Sequence, residues 1–244
     1  MSWPCGTIQN FWRLAVVWFL SQREINFNKI SIEADHYLLF SVGEMLSRKN
    51  SRWGEEFGNY LNKGNHDFAT LFRSRQDEER KFGGEDQPVV GITWYAAQAY
   101  CLWLSLFETD KPPYRLPTEI EWEWAAGGKR GTTAEKVRNY PWSDGKGEPG
   151  STLANYGKSI GATTPVGNYP DGATPEGLYD MAGNAWEWME NIHEKYAPAR
   201  ASRGGSCYSE ADALRCSSRV VNIPGSSYVD LVGFRVIRSS PFSS

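Results

Sequence analysis

From Lys129 to the C-terminus the chain is punctuated throughout by Gly, Pro, Asn, Ser and Asp, and this feature alone excludes long helices over that half of the molecule. A chain broken so often must fold as short elements joined by loops. Such loops need ions, hydrogen bonds or aromatic wedges to fix them, and the wedges are supplied: 11 Trp, 12 Tyr and 11 Phe accompany 24 Gly and 13 Pro in 244 residues. At 40% hydrophobic and 23% charged, the composition supports a packed core and excludes disordered and fibrous classes. The 26 basic and 29 acidic side chains are interspersed, leaving a formal charge of -3 and no basic stripe that could track phosphates. No nucleic-acid partner is expected.

The first part of the chain reads differently. Between Ile8 and Arg80, apolar residues recur at helical spacing: Phe11, Leu14, Val17 and Trp18 in one run, Tyr37, Phe40 and Met45 in another. The apolar stretch Leu14 to Leu20 lacks a small-residue cleavage site and is far short of the about 20 residues a membrane span needs. It reads as a buried helix, so no membrane insertion and a cytoplasmic location are expected. Cys5, Cys101, Cys207 and Cys216 form no C-x-x-C pair, which points to free thiols rather than a zinc or redox motif. Ser47 to Asn65 reads as a loop, and Gln76 to Arg80 as a solvated face.

After Pro88 the texture changes. Val89 to Trp94 predicts a short strand, and Tyr95 to Phe107 a helix with Ala96, Ala99, Tyr100 and Trp103 on one stripe and Thr93 as a candidate cap. Glu119 to Ala126 predicts a second helix, with Thr118 at its N-cap and Glu121 three residues on, the pattern of a capping box.

Four segments stand out in order. Pro88-Val89-Val90-Gly91-Ile92-Thr93-Trp94 comes first, then Tyr114-Arg115-Leu116-Pro117-Thr118-Glu119 continuing through Glu121-Trp122-Glu123-Trp124. Gly177-Leu178-Tyr179-Asp180-Met181-Ala182-Gly183-Asn184-Ala185-Trp186-Glu187-Trp188 follows, and Arg203-Gly204-Gly205-Ser206 with Gly233-Phe234-Arg235 closes the set. In this order and spacing they resemble the formylglycine-generating enzyme (sulfatase-modifying factor) family from Pro88 to about Arg238; the first 87 residues match poorly. The resemblance implies an α+β fold, the loop-rich C-type lectin fold of that family, with short strands and a few helices. It divides the chain into a helical or irregular portion, 1–87, packed on the same domain, and a core, 88–244.

The resemblance also implies a structural cation. In the family, the segment equivalent to Asp180 through Glu187 wraps Ca²⁺, and this chain keeps Asp180, Gly183, Ala185 and Glu187 at the matching places. A hard cation takes about six to eight oxygens, and a tight Gly-Asn turn can aim carbonyls and two carboxylates at one point. The same carboxylates could equally serve as caps or ion-pair partners. Asn155 and Tyr156 match the start of a second cation loop, whose acidic partner falls in a stretch that is shortened here.

The family's oxidase chemistry rests on a cysteine pair that holds copper through soft thiolates. Here the first of those positions is Ser209, the second is lost in a shortened segment, and Cys207 stands where the family has an aromatic ring. Cys216 matches a structural cysteine whose disulfide partner falls at Ala126, and the partner of Cys101 falls at Val236. Neither copper nor iron is therefore expected, and the chain is read as a non-enzyme. A related branch, the iron-dependent sulfoxide synthases, needs three histidines; this chain has only His36, His66 and His193, each standing alone. An oxidase or sulfoxide-synthase-like enzyme with an unrecognised centre is the alternative.

Between the fixed framework Arg203-Gly204-Gly205-Ser206 and Gly233-Phe234-Arg235 lies a segment, 207–231, in which Lys, Gln, Met and Trp are absent. The family includes bacterial members diversified by retroelements, where adenine replacement over this segment reaches Tyr, Ser, Cys, Asp, Ala, Val, Leu and Asn but not those four types. Only Glu210 falls outside the reachable set. The resemblance thus implies a diversity-generating retroelement variable protein, displaying a ligand-binding surface for an unknown macromolecule, of which a protein is the first choice. Its variable positions are Cys207, Tyr208, Ser209, Asp212 and Ala213, then Val220, Val221 and Asn222, then Ser226, Ser227, Tyr228, Val229 and Asp230. Tyr, Ser, Asn and Asp suit adaptable binding surfaces. Val220, Val221 and Leu231 could instead be ordinary core, and Arg215, Arg219 and Arg235 are read as pins for backbone or carboxylates.

Overall fold

The computed structural model describes residues 74, 76, 79–107, 113–128, 138–142, 144–192, 195–196, 199–224 and 231–238. The helices expected between Ile8 and Met45 and the loop at 47–65 lie outside the described residues. The predicted solvated run at Gln76 to Arg80 is met at Glu79 and Arg80, which are exposed, but not at Gln76, which is buried.

The strand expected over Val89–Trp94 does not form. Gly91 takes a left-handed backbone (φ 70), and ladder pairing cannot run through such a kink. The segment keeps isolated bonds instead, Ile92 N–H to the Val232 carbonyl and Trp94 N–H to the Pro224 carbonyl. Helix α1 then spans Trp94–Phe107. Thr93 starts it as expected, its Oγ1 accepting from Ala96 N–H at 3.1 Å. Helix α2 spans Glu119–Gly127, and its capping box is complete: Thr118 Oγ1 accepts from Glu121 N–H, and Glu121 Oε2 accepts from Thr118 N–H.

Among the described residues there are four short strands, β1 (Trp186–Ile192), β2 (Arg200–Arg203), β3 (Arg219–Asn222) and β4 (Val232–Gly233), in the order β3-β2-β1-β4. β2 pairs antiparallel with β1 and β3, and β4 runs parallel to β1. The remaining described residues form loops and single 3-10 turns, in keeping with the Gly and Pro punctuation. The architecture is α+β and loop-rich.

Aromatic wedges hold these loops. Trp94, Trp122, Trp142 and Trp188 are each at most 1% exposed. Every one of their indole N–H groups is satisfied: Trp94 by the Met189 carbonyl, Trp122 by Glu187, Trp142 by the Gly147 carbonyl and Trp188 by the Ile92 carbonyl. Each ring therefore fills core volume and also ties a distant loop in place. Cys101 and Cys216 are buried free thiols. Ala126 packs in the same apolar cluster as Cys216, and Val236 packs against the cluster that contains Cys101. The positions matched to family disulfides thus fall within shared apolar clusters here. Among the described residues, no helix is long and apolar enough to cross a membrane.

Candidate functional site

The segment after β2 begins with a turn that only glycine fits. Gly204 and Gly205 have φ of 97° and 79°, and a Cβ on Gly205 would stand 2.8 Å from Leu214 Cδ2. This turn brings the chain against the loop at 155–161, and two backbone hydrogen bonds of 2.8 Å join them: Gly157 N–H to the Ser209 carbonyl and Lys158 N–H to the Cys207 carbonyl. A 3-10 turn, Ala211–Leu214, follows. Leu214 is fully buried among Tyr140, Trp142, Leu153 and Ala154. Arg203 fixes the far side, donating to the carbonyls of Cys216 and Ser218 while ion-paired to Glu119 and Glu123. The backbone here is held by framework groups on both flanks.

Side chains on this backbone divide by depth. Asp212 is exposed, with 91% of its side chain open to solvent. Ser209, Ala213 and Asn222 are half-buried, and Val221 is exposed. Tyr208 is half-buried, donating from its hydroxyl to the Gly161 carbonyl at 3.0 Å. Val220 packs against the main core cluster, so the core alternative applies to it and not to Val221. Leu231 and Val232 are core, at 4% and 1% exposure.

Cys207 is a correction: it is fully buried against Phe82, Val90, Ala185 and Leu231 and cannot belong to an exposed face. The local reason is the tight Gly-Gly-Ser turn, which points the next side chain inward. Burial pushes its thiol up to about 11, far from the thiolate form that nucleophiles and metal ligands require. Burial likewise raises Cys216, to about 12. Ser226, Ser227, Tyr228, Val229 and Asp230, together with His36, His66 and His193, lie outside the described residues.

The arginine expectation holds. Arg235 donates to both carboxylate oxygens of Glu187, each at 2.6 Å, and to the carbonyls of Tyr179 and Asp180. Arg219 reaches Glu119, and Arg215 reaches Asp212. These contacts bear on the expected Ca²⁺ donors. Glu187 Oε2 accepts from Trp122 as well as from Arg235. The Gly183 carbonyl accepts from Ala185 N–H, and Asp180 Oδ2 accepts from Gly167 N–H. Burial raises the pKa of the Asp180 carboxyl, against that hydrogen bond and the nearby Arg235. As folded, Glu187 is ion-paired with Arg235 and Asp180 is held by the Gly167 N–H, and no group of three or more His, Cys, Asp or Glu among the described residues is placed to hold a metal ion. One waiting oxygen does stand nearby. Asn155 Oδ1 is buried without a hydrogen-bond partner, while its Nδ2 donates to the Ala162 carbonyl and to Asn184.

Sequence reasoning missed two lysines. Lys81 Nζ donates to the Tyr208 hydroxyl at 3.4 Å, and Lys158 Nζ sits 5.6 Å from the centroid of the same ring. Hydrogen bonds to Glu79 and then Tyr208 raise the Lys81 pKa. Nothing local in the sequence joins residues 81, 158 and 208. The one hint is that Lys158 holds a left-handed backbone (φ 59) in a Gly-Lys turn.

Residues 53–240 match the sulfatase-modifying factor enzyme 1-like domain. The chain is 40% identical over 160 residues to the serine/threonine-protein kinase pkn1 of Chlamydia caviae, covering 59% of this chain and 23% of that protein. It is 36% identical over 155 residues to hercynine oxygenase of Mycolicibacterium thermoresistibile, covering 55% and 32%. It is 35% identical over 164 residues to the inactive C-alpha-formylglycine-generating enzyme 2 of Bos taurus, covering 61% and 49%. The chain therefore spans half or less of the length of these curated relatives. Among solved structures, PvdO from Pseudomonas aeruginosa superposes with a TM-score of 0.52 at 28% identity, over 65% of this chain and 64% of that one.

Proposed function

Given that the chain belongs to the sulfatase-modifying factor enzyme 1-like family, which by name holds both enzymes and inactive members, we propose that it is a binding protein, displaying a retroelement-diversified face. Its ligand is a macromolecule, in the first instance a protein. The observation that carries this is the division of labour in residues 207–222. Arg203, Leu214, the bonds to Gly157 and Lys158, the Ser209 hydroxyl that accepts from Ser206 N–H, and Ala213 packed against the core hold the backbone, while the side chains of Asp212 and Val221 stand exposed and free to vary. Also in favour are the missing soft-ligand cysteine pair and the raised pKa of Cys207.

The test is a library randomised at the exposed positions Asp212 and Val221 and selected against a defined target such as hen lysozyme. Most members should keep a melting midpoint within a few degrees of the parent, and selection should yield specific binders. If most members unfold, or no binder emerges, the display role is lost. The catalytic alternative, an oxidase or sulfoxide synthase, is favoured by the hercynine oxygenase relationship. Stoichiometric copper or iron in the purified protein would support it and count against pure binding.

A structural Ca²⁺ belongs to the same proposal. Asn155 Oδ1 is the donor best placed to take it, because it is buried and has no other partner, whereas Glu187 would first have to release Arg235. Calcium added after chelation should raise the melting midpoint of the parent and leave an Asn155→Leu variant unmoved; an equal response in both would remove Asn155 from the site.

A further inference from the structure

The hydrogen-bonding capacity around Tyr208 is one-sided. Its hydroxyl proton is committed to the Gly161 carbonyl, so toward solvent the phenol oxygen can only accept, and it already accepts from Lys81. Lys81 crosses the buried Phe82 ring at 4.9 Å, and its ammonium also pairs with Glu79 at 3.1 Å, both side chains being about half exposed. Lys158, approaching from the opposite loop, places its ammonium over the Tyr208 ring and forms no ion pair among the described residues. Each ammonium carries three donors and no acceptor. Lys81 and Lys158 thus keep donors open beside Tyr208, on a surface that also carries the exposed Glu79, Glu85 and Asp86.

We infer that Lys81 and Lys158, flanking Tyr208 from two framework loops, form a fixed cationic rim that receives a carboxylate side chain of an acidic peptide segment on the partner protein. The inference rests on the binding role proposed above and deepens it. Both lysines lie outside segment 207–231, so their charges belong to the framework, while the contacts that gather them hold where Tyr208 is kept. Ammonium groups pair with a carboxylate as point charges, each offering three rotatable donors. The half-buried tyrosine between them offers a flat surface for the methylene stem of Glu or Asp. The overall negative charge disfavours indiscriminate adsorption of acidic chains, so an interaction of this kind must be local.

A fluorescein-labelled octaglutamate peptide, titrated into the full chain by anisotropy at low and at physiological salt, tests it. The parent should bind it in preference to octalysine, and the paired Lys81→Gln/Lys158→Gln variant should bind about tenfold more weakly, with a shallower salt dependence. Lys146→Gln, which removes a lysine paired with Asp171 elsewhere on the surface, should match the parent. Equal octaglutamate affinity in the parent and the paired variant would overturn the inference. So would heparin binding that outcompetes the peptide and depends on the same lysines, since that would make the partner a sulfated polysaccharide. Because the probe is a defined peptide, the outcome is separable from the library experiment. Lysine-dependent binding with an intolerant segment would sink the display role alone, and a tolerant segment with lysine-independent binding would sink the rim alone.

Discussion

Lys158 stands in a backbone region that suits glycine, with φ of 59° and its N–H tied to the Cys207 carbonyl. A side chain in that conformation costs about 1 kcal/mol, and a lysine kept there against the local preference suggests a use for the ammonium group. Lys158→Gly should hold or raise stability, by up to about 1 kcal/mol, while weakening the octaglutamate interaction. Urea melts and peptide titration on the same sample read both quantities, and a purely structural lysine would give no opposing pair. Trp122 makes a second case at this scale. Its indole N–H donates to Glu187, a carboxylate only 7% exposed that also carries the Arg235 fork. Trp122→Phe keeps most of the ring volume but removes that donor, and should cost about 1–3 kcal/mol in chemical denaturation. A loss under a few tenths would mean that Arg235 alone satisfies Glu187.

Helix α2 is where element-scale behaviour is most readily measured. Glu121 joins the capping box to a forked pair with Arg115, at 2.7 and 2.5 Å, and that pair with the Thr118 bonds draws its pKa down to about 2. A carboxylate depressed on folding stabilises the native state above its unfolded pKa, near 4.5, and loses that contribution as pH falls toward 2. With 37% of the Glu121 side chain exposed, solvent screening limits the contribution to about 1 kcal/mol. Glu121→Gln should therefore be less stable than the parent at pH 7, and the gap should close on acidification to pH 2. A gap that stays constant across that window would place the effect elsewhere than in charge. The same helix carries Ala126, in one apolar cluster with Cys216. Ala126→Cys should close a disulfide under oxidising conditions and stabilise by about 2–4 kcal/mol, read as loss of free thiol together with a higher melting midpoint. Persistent free thiol in the folded protein would show that the two positions are neighbours without bonding geometry.

Across the whole molecule, what was legible beforehand follows from the range of the interactions. The helices α1 and α2, with their Thr93 and Thr118 caps, and the loop-rich character of everything after Lys129 depend on contacts a few residues apart, so local sequence carries them. The roles of Arg215, Arg219 and Arg235 as pins were likewise readable, since a fixed cation in a Gly-rich framework needs an anion or carbonyl close by. The failures are non-local. Val89–Trp94 had strand composition, but Gly91 turns the chain out of the ladder. Cys207 stands in a run whose composition suits a surface, yet the turn at Gly204 and Gly205 drives it into the core.

The sequence by itself determined the α+β class, the framework motifs, the absence of a soft-metal cysteine pair and the bounds of the segment between Ser206 and Gly233. Only the tertiary structure decided which side chains of that segment face outward, that Arg235 rather than a ring of oxygens meets Glu187, and that two lysines meet at Tyr208. The physical reason is the same in each case. Propensity and capping act within a turn or two of chain, but burial and charge pairing between residues 50 or 127 apart exist only once the loops have been wedged into place by the buried tryptophans.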